Sequence, residues 1–241
     1  MSRRTTIDDE LEAPGNVARK SLSIRRLARW VLRWTGWIAT RILLLMAVLV
    51  AFYGLINPPT TLTIAREATE PRRWTPIEQI APAMTRAVVA AEDANFCTHW
   101  GFDMAEIRKV IAAGSSGGAS TLTQQTAKNV YLWQGRSWPK KLLETAFTPM
   151  IEALWSKRRI LEVYLNVAEF GPGIFGIEAA ARHHFGTTPN ALTTVQAARL
   201  AAILPAPKTR RPESSRRSAA IADGAATIAR DGRAACFDGG S

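Results

Sequence analysis

Apolar residues in most of this chain recur every three or four positions, the spacing that buries one face of an α-helix. These stripes lie in residues 77–91, 142–155, 160–165 and 193–204. Thr75 and Pro76 precede the first stripe as a hydroxyl cap and a proline at the first helical position. Pro205 ends the last stripe, and no stretch alternates apolar and polar residues for long enough to predict a sheet. The pattern predicts a mainly α fold with one helical domain in residues 75–207.

An uncharged apolar run lies ahead of this domain, from Ile42 to Ile56. Counted from Trp37, with the intervening arginine reaching toward the lipid headgroups, it attains the ~20 residues of a membrane-spanning helix. A cleavable signal peptide is the alternative interpretation. The charged lead-in is long for a signal peptide, however, and two prolines follow Asn57 where a small-x-small cleavage site belongs. We therefore predict one transmembrane helix in residues 37–56.

Charge and proline positions divide the rest of the chain. Residues 1–36 are predicted to form a disordered basic tail that merges into the transmembrane helix. Residues 57–74 form a proline-marked linker, and residues 208–241 an Arg-rich C-terminal tail whose order the sequence leaves open. The arginines ahead of the span predict a cytoplasmic N-terminus and an external helical domain. Cys97 and Cys236 then face an oxidising compartment. The sequence leaves open whether they form a disulfide or stay as two free thiols.

The formal net charge of +11 indicates an anionic partner. Nucleic acid, anionic lipid headgroups and a phosphorylated substrate all satisfy that charge. The predicted topology disfavours nucleic acid, because the domain lies outside the cytoplasm.

The first candidate for chemistry is Glu92, which with Asp93 follows an apolar run that ends at Ala91. A carboxylate that is partly desolvated has a raised pKa and is a better general base. On residue type alone, solvated charges at a helix end are favoured over a base. His99 alone is likewise more typical of a structural hydrogen bond than of catalysis.

The second candidate is a glycine loop that leads into a helix start, in residues 117–128. Exposed backbone N–H groups at such a start favour an anion. Ser120, Thr121, Gln124 and Gln125 add donors suited to a sugar or a phosphate. A plain capped helix after a flexible loop fits the same residues equally well.

The third candidate is a set of basic side chains around a carboxylate. Its cations are Lys128, Arg136, Lys140, Lys141, Lys157, Arg158 and Arg159. Glu144 lies one helical turn beyond the lysine pair and can face it. Such runs are usually solvated surfaces, but a diphosphate leaving group requires cations where its negative charge develops.

Taken together, these elements resemble the peptidoglycan glycosyltransferases, most closely the monofunctional biosynthetic peptidoglycan transglycosylases. The matching motifs, in order, are Glu92-Asp93-x-x-Phe96-x-x-His99-x-Gly101, Gly118-x-Ser120-Thr121-x-Thr123-Gln124-Gln125, Lys140-Lys141-x-x-Glu144 and Lys157-x-x-Ile160-Leu161-x-x-Tyr164-Leu165-Asn166. The resemblance covers roughly residues 75–207 and the anchor. It implies a lysozyme-like helical lobe with a small jaw region. The chain departs from the pattern at Lys140, usually Arg, at Ala119, usually Gly, and in the short segment before Gly117.

The resemblance implies a role for each matching residue. Glu92 would be the general base that takes the proton from the C4 hydroxyl of the acceptor sugar, and Glu144 the second essential carboxylate, near the diphosphate. Substrate-binding residues are expected at Lys128, Arg136, Ser120, Thr121, Gln124, Gln125, Lys141, Lys157 and Asn166. The first two would hold the diphosphate, and the last would also brace its own helix.

The implied reaction polymerises lipid II into glycan strands, with inversion at the anomeric carbon and release of undecaprenyl diphosphate. The expected partners are lipid II, the growing strand, the membrane and other cell-wall synthesis proteins, without nucleic acid. The sequence requires no cofactor and leaves a divalent cation such as magnesium or manganese open. The expected location is the inner membrane, with a single span and a periplasmic catalytic domain.

Three other functions fit parts of the sequence. A lytic enzyme of lysozyme-like architecture needs a catalytic acid but has no use for the cations Lys128 and Arg136. A bifunctional penicillin-binding protein is disfavoured, because the Ser-x-x-Lys match at Ser137 lies inside the glycosyltransferase region and no Lys-Thr-Gly follows. A membrane-tethered scaffold would keep the anchor and the charge, but would not require Glu92 and Glu144.

Overall fold

The computed structural model describes residues 16–114, 118–133, 135 and 137–239. It divides into two compact units, one reaching Met46 and the other beginning at Ala47. Helix α1, Asn16–Leu55, runs through both. Within the described residues, one helical segment, Ile24–Leu55, is long and apolar enough to cross a membrane.

Helix α1 corrects the prediction for the N-terminal tail. The tail was expected to remain irregular up to residue 36, whereas residues 16–36 are helical. No proline or glycine lies between Gly15 and Gly36, and the arginines, leucines and alanines of this stretch favour helix. Its charge marks a basic segment but does not interrupt the helix.

The predicted linker, residues 57–74, is ordered and packed. It contains α2, Leu62–Glu67, which begins at the Thr61 side-chain cap. Arg72 donates to the carbonyl oxygens of Pro58 and Pro59 at 2.7 and 2.5 Å, so its guanidinium ties the segment together.

The helical body consists of nine further helices joined by short loops in the described residues. They are α3 Pro82–Glu92, α4 Met104–Ala112, α5 Leu122–Tyr131, α6 Trp138–Leu154, α7 Lys157–Val167, α8 Ile177–Phe185, α9 Thr194–Ile203, α10 Arg216–Arg230 and α11 Ala235–Asp238. Two short 3₁₀ turns, Ile77–Gln79 and Pro189–Ala191, complete it. The only pairing of extended residues in the described chain is an isolated bridge between Glu169 and Phe175. The predicted mainly α fold is confirmed.

The predicted start of the first domain helix at Thr75 and Pro76 is wrong. Those residues lead into the 3₁₀ turn, and α3 begins at Pro82, which takes the first helical position instead. The apolar period runs through both segments, so it did not reveal the break between them.

The body has two groups of packed helices. In one, α5 packs against α6 and α7; in the other, α3 packs against α9 and α10. Helix α7 is central to the core, because Ile160, Leu161, Tyr164 and Leu165 are all fully buried. By contrast, α4 buries none of its residues.

The sequence left the order of residues 208–241 open, and the described part of this segment, residues 208–239, continues the helical body. Helix α10 packs on α3 and α9, and α11 packs on α7. A disulfide between Cys97 and Cys236 joins α11 to the loop after α3. The packed body therefore extends beyond residue 207, where the sequence pattern placed the end of the domain.

Candidate active site

Glu92 is the last residue of α3, and its side chain is only about 10% exposed. The side-chain amide of Gln125 donates to Glu92 Oε2 at 2.9 Å. The other oxygen, Oε1, is buried and accepts no hydrogen bond in the described part of the chain. Burial raises the pKa of the Glu92 carboxyl, while Gln125 and nearby cations oppose the rise. The expectation from residue type alone, that Glu92 is a solvated charge at a helix end, is therefore wrong.

Asp93 has a different role from its neighbour. One carboxylate oxygen lies 2.7 Å from His99 Nε2, and the other accepts the backbone N–H of Leu122 at 2.9 Å. Asp93 thus joins the loop after α3 to the first turn of α5, where an anion is favoured. His99 is structural, as its residue type alone indicated.

The start of α5 is fixed by a capping box. The Thr121 hydroxyl accepts the N–H of Gln124, and the Gln124 side chain accepts the N–H of Thr121. Thr121 also donates to the Gly101 carbonyl at 2.7 Å. The side chains of Thr121 and Gln124 are therefore occupied within the protein, whereas Ser120 is exposed.

Gln125 and Lys128 lie three residues apart on α5, so they share one face of that helix. Burial lowers the pKa of the Lys128 ammonium, while the charges of Glu144 and Glu92 raise it. Gln125 bonds to Glu92, and α5 packs against α6, which carries Glu144. Glu92, Lys128 and Glu144 therefore lie in the same region of the helical body.

Helix α6 supplies the second carboxylate. Glu144 is buried, and the ammonium group of half-exposed Lys141 donates to it. The neighbouring Lys140 turns away and donates to the Gly135 carbonyl at 2.9 Å. Arg136, the other predicted diphosphate ligand, lies outside the described residues.

Lys157 and Asn166, both predicted to bind substrate, make hydrogen bonds within the protein. Lys157 donates to the His99 carbonyl and to Glu152, both at 2.8 Å, and its ammonium lies 4.5 Å from the centre of the Phe96 ring. Asn166 is fully buried and exchanges two hydrogen bonds of 2.8 Å with the Thr75 backbone. These contacts agree with a bracing role for Asn166, and its substrate-binding role stays a prediction.

Arg158 and Arg159 also make structural contacts. Arg158 donates to the Phe237 carbonyl and to Glu78, both at 2.8 Å. Arg159 donates to the Tyr53 and Ile56 carbonyls, which satisfies free acceptors at the end of α1.

Two cavities flank this arrangement. The first, of about 240 Å³, is lined by residues that include Glu92, Asn95, Asp103, Glu106 and Ser120. The second, of about 320 Å³, is lined by residues that include Gln125, Lys128, Tyr164, Glu169 and Lys208. Glu92 lines the first cavity, and Gln125, which bonds to it, lines the second, so the proposed base lies next to both spaces.

Sequence patterns did not single out several residues around the site. The Tyr164 hydroxyl donates to Gln125 Oε1 at 3.2 Å, although the pattern marked Tyr164 only as core. Arg217 on α10 lies 3.9 Å from Glu92 Oε1. No local signal predicts that contact, because α10 follows α3 by more than a hundred residues.

No group of three or more His, Cys, Asp or Glu side chains that suits a metal ion occurs among the residues that the structure describes. The expectation that no cofactor is required, with magnesium or manganese left open, stays a prediction.

The family profile for transglycosylases matches residues 60–231 of this chain. The chain belongs to the transglycosylase family. Membership confirms the resemblance seen in the motifs and the lysozyme-like helical fold, and it makes the protein a glycosyl-transferring enzyme. The match ends at residue 231, so it takes in α10, which the sequence-based boundary had left out.

Similar proteins cover nearly the whole chain. A protein of Jannaschia sp. (strain CCS1) called biosynthetic peptidoglycan transglycosylase is 51% identical over 92% of this chain and 95% of its own length. A protein of the same name from Caulobacter vibrioides is 46% identical over 78% of this chain and 88% of its own. A third, from Pseudomonas putida (strain GB-1), is 46% identical over 86% and 89%.

Proposed function

We propose that this enzyme polymerises lipid II into peptidoglycan strands, with inversion at the anomeric carbon and release of undecaprenyl diphosphate. The observation that carries the proposal is the hydrogen bond from Gln125 to Glu92, which places Glu92 beside the face of α5 that also bears Lys128. A proton acceptor and a cation for a leaving group thus occupy one neighbourhood. The relatives are named for peptidoglycan, which supports the polymer, and the sequence motifs support a lipid-diphosphate donor.

Glu92 acts as the general base in this proposal. Its carboxylate takes the proton from the C4 hydroxyl of the acceptor sugar as that oxygen attacks the anomeric carbon of the donor. Burial raises the Glu92 pKa toward the working pH, which improves proton acceptance. Gln125 holds Oε2, so the unbonded Oε1 is the oxygen that receives the proton.

Lys128 stabilises the departing diphosphate. The bond from the anomeric carbon to the diphosphate oxygen breaks with its electron pair on oxygen, and a fixed cation lowers the energy of that charge. Lys128 is half-buried, and burial lowers its pKa; an anion bound beside it favours the charged form. Arg136 adds a second cation in the proposal. Glu144 orients Lys141, which donates to its carboxylate.

The anchor keeps the enzyme in the membrane that carries its lipid-linked substrate. We assign a single span in the inner membrane, with the N-terminus in the cytoplasm and the helical body in the periplasm. The arginines ahead of the span support this orientation. The Cys97–Cys236 disulfide supports it independently, because such bonds persist in oxidising compartments.

The proposal requires no resident cofactor, because Lys128 and Arg136 supply the positive charge. The assay below is run with and without a divalent cation, magnesium or manganese, to measure whether either one changes polymer formation. The growing glycan strand and other cell-wall synthesis proteins are the proposed partners, besides lipid II and the membrane.

The test uses the full chain in detergent with lipid II, with and without magnesium or manganese, and measures polymer. Glu92→Gln should reduce polymer formation by about 10²–10⁴, the usual contribution of a positioned base. The matched control is Glu178→Gln, which removes a mostly buried carboxylate that pairs with exposed Arg182 on α8 and should leave activity unchanged.

Two outcomes would contradict the proposal. Unchanged polymer formation by the Glu92→Gln enzyme excludes Glu92 as the base. Shortening of isolated cell wall, without polymer from lipid II, would favour the lytic enzyme.

A further inference from the structure

The C-terminal segment, defined as residues 215–238, packs against the end of α3 and the loop that follows it. A Cβ placed on Gly224 of α10 would lie 3.3 Å from the Ala90 Cβ, so the two helices are in close contact just before Glu92. Arg233 donates to the Ala94 carbonyl at 3.2 Å. Beyond it, the Cys97–Cys236 disulfide fastens the segment covalently.

Further contacts hold α11 against the same region. The Phe237 side chain is buried, with its ring centre 6.3 Å from that of Phe96. Asp238 accepts from Arg86 of α3 at 2.5 Å. The segment is thus fixed to α3 and its loop on both sides of Glu92.

This attachment places one arginine beside the proposed base. Arg217 Nη2 lies 3.9 Å from Glu92 Oε1, the oxygen that accepts no hydrogen bond within the described residues. The Arg217 side chain is 43% exposed, whereas that of Glu92 is 10% exposed. Arg217 therefore reaches from the solvent side to a buried carboxylate.

Other charged and titratable groups face Glu92 from the surrounding elements. They are Lys128 on α5, Tyr164 on α7, Arg210 ahead of α10, and Asp93, Asp103 and Glu106 around the first cavity. Arg199 on α9 instead donates to the Ser214 hydroxyl. Of the cations whose charge lowers the Glu92 pKa, Arg217 has the strongest effect and makes the only ion pair with Glu92 within the described chain.

We propose that Arg217 is a positioning residue for the Glu92 base, and that the disulfide-anchored C-terminal segment holds it in place. The inference rests on the proposed function, since it assigns Arg217 to the same base. The Arg217 guanidinium fixes the orientation of Oε1 of Glu92 and favours the ionised form of the Glu92 carboxylate. A base that is buried without such a cation would be protonated over more of the working pH range.

The experiment is the pH profile of kcat/KM for polymer formation, which reports the base of the free enzyme. In Arg217→Gln the acidic limb should move to higher pH, because a charge that favours ionised Glu92 is lost. We expect activity near pH 6 to fall by about three- to tenfold, with a change of less than about twofold near pH 8.5. Arg217→Lys should recover most of the profile.

The matched control is Arg216→Gln, which removes an exposed arginine from the same turn of α10 and should leave the profile unchanged. Melting curves for all variants show whether each one folds. An equal loss at every pH would make Arg217 a substrate contact and overturn the proposal, as would an unchanged profile in Arg217→Gln. A wild-type enzyme that makes no polymer would instead overturn the proposed function.

The disulfide is tested by Cys97→Ser/Cys236→Ser, alone and combined with Arg217→Gln. The cysteine variant should move the acidic limb in the same direction but less far, because Arg233, Phe237 and Asp238 still hold the segment. With Arg217 already replaced, loss of the disulfide should cause no further movement. A further movement in that background would show that the disulfide acts on Glu92 by another route.

Discussion

The side chain of Gln125 connects the proposed base to the core of the protein. Its amide donates to Glu92 at 2.9 Å, and its oxygen accepts from the fully buried Tyr164 at 3.2 Å. Because α5 and α7 pack together, Gln125 has little freedom to leave this position. The geometry of the base is therefore set by a side chain that was assigned, from the motif, to the substrate.

Replacing Gln125 by Ala should reduce kcat/KM by about 10–100-fold, since a hydrogen bond to a charged group contributes about 1.5–3 kcal/mol. The acidic limb of the pH profile should also move to higher pH, because the hydrogen bond from Gln125 lowers the Glu92 pKa and its loss raises that pKa. The measurement is lipid II polymerisation from pH 5 to 9. Gln124→Ala, which removes only the capping-box partner, is the control for helix stability. A Gln125→Ala enzyme with higher KM and an unshifted profile would indicate a substrate contact instead.

Lys128→Met should lower kcat by about 10²–10³, the effect of losing one preorganised group that stabilises developing charge. Methionine keeps an unbranched side chain of similar length, so the change removes mainly the ammonium. Single-turnover rates with lipid II measure the effect. The control is Lys109→Met on exposed α4, whose lysine pairs with Glu106 at the surface. If Lys128→Met raised KM alone, Lys128 would bind the ground state without assisting departure of the diphosphate.

Local sequence pattern predicted the helices, because the apolar period reports burial of each face. It did not separate the 3₁₀ turn at Ile77 from α3, since both continue the same period. Motifs placed Glu92, Lys128 and Glu144 in one site only through resemblance to a family. The Asn166–Thr75, Arg217–Glu92 and Cys97–Cys236 contacts join distant parts of the chain, and no local pattern encodes such pairings.

Glu92 should lower the stability of the folded protein at neutral and alkaline pH. Burial raises its pKa in the folded state, so the folded protein binds more protons than the unfolded chain between the unfolded and folded pKa values. Stability is therefore lost as pH rises through that interval. Glu92→Gln should raise the melting temperature at pH 8 by about 2–4 °C, as about 1 kcal/mol gives in a protein of this size.

The same substitution should have little effect at pH 4, where the carboxyl is protonated in the folded state and mostly protonated in the unfolded chain. Melting curves at pH 4 and pH 8 supply the comparison. Glu178→Gln, which removes a carboxylate already paired with Arg182 at 2.6 Å, should show no such gain. A Glu92→Gln protein that is less stable at pH 8 would mean that the carboxylate stabilises the fold.

Gly101 ends the first motif and links it to two helices. Its φ is +82°, and a Cβ there would lie 2.6 Å from Thr148 Cγ2 and 3.1 Å from Glu152 Cγ on α6. Its carbonyl accepts the Thr121 hydroxyl at the start of α5. Gly101→Ala should therefore cost about 1–2 kcal/mol for the left-handed backbone and about 1–3 kcal/mol for the clash.

Gly114→Ala separates these two costs. Gly114 also has a positive φ, of +62°, but a Cβ there meets nothing within 4 Å, so only the backbone cost applies. Denaturant unfolding of both variants should show Gly101→Ala to be the less stable by about 1–3 kcal/mol. Because displacement of the Gly101 carbonyl frees the Thr121 hydroxyl, polymer formation should also fall in Gly101→Ala and not in Gly114→Ala. Equal stability of the two variants would show that α6 yields to the added methyl group, and that the close contact does not fix the loop beside Glu92.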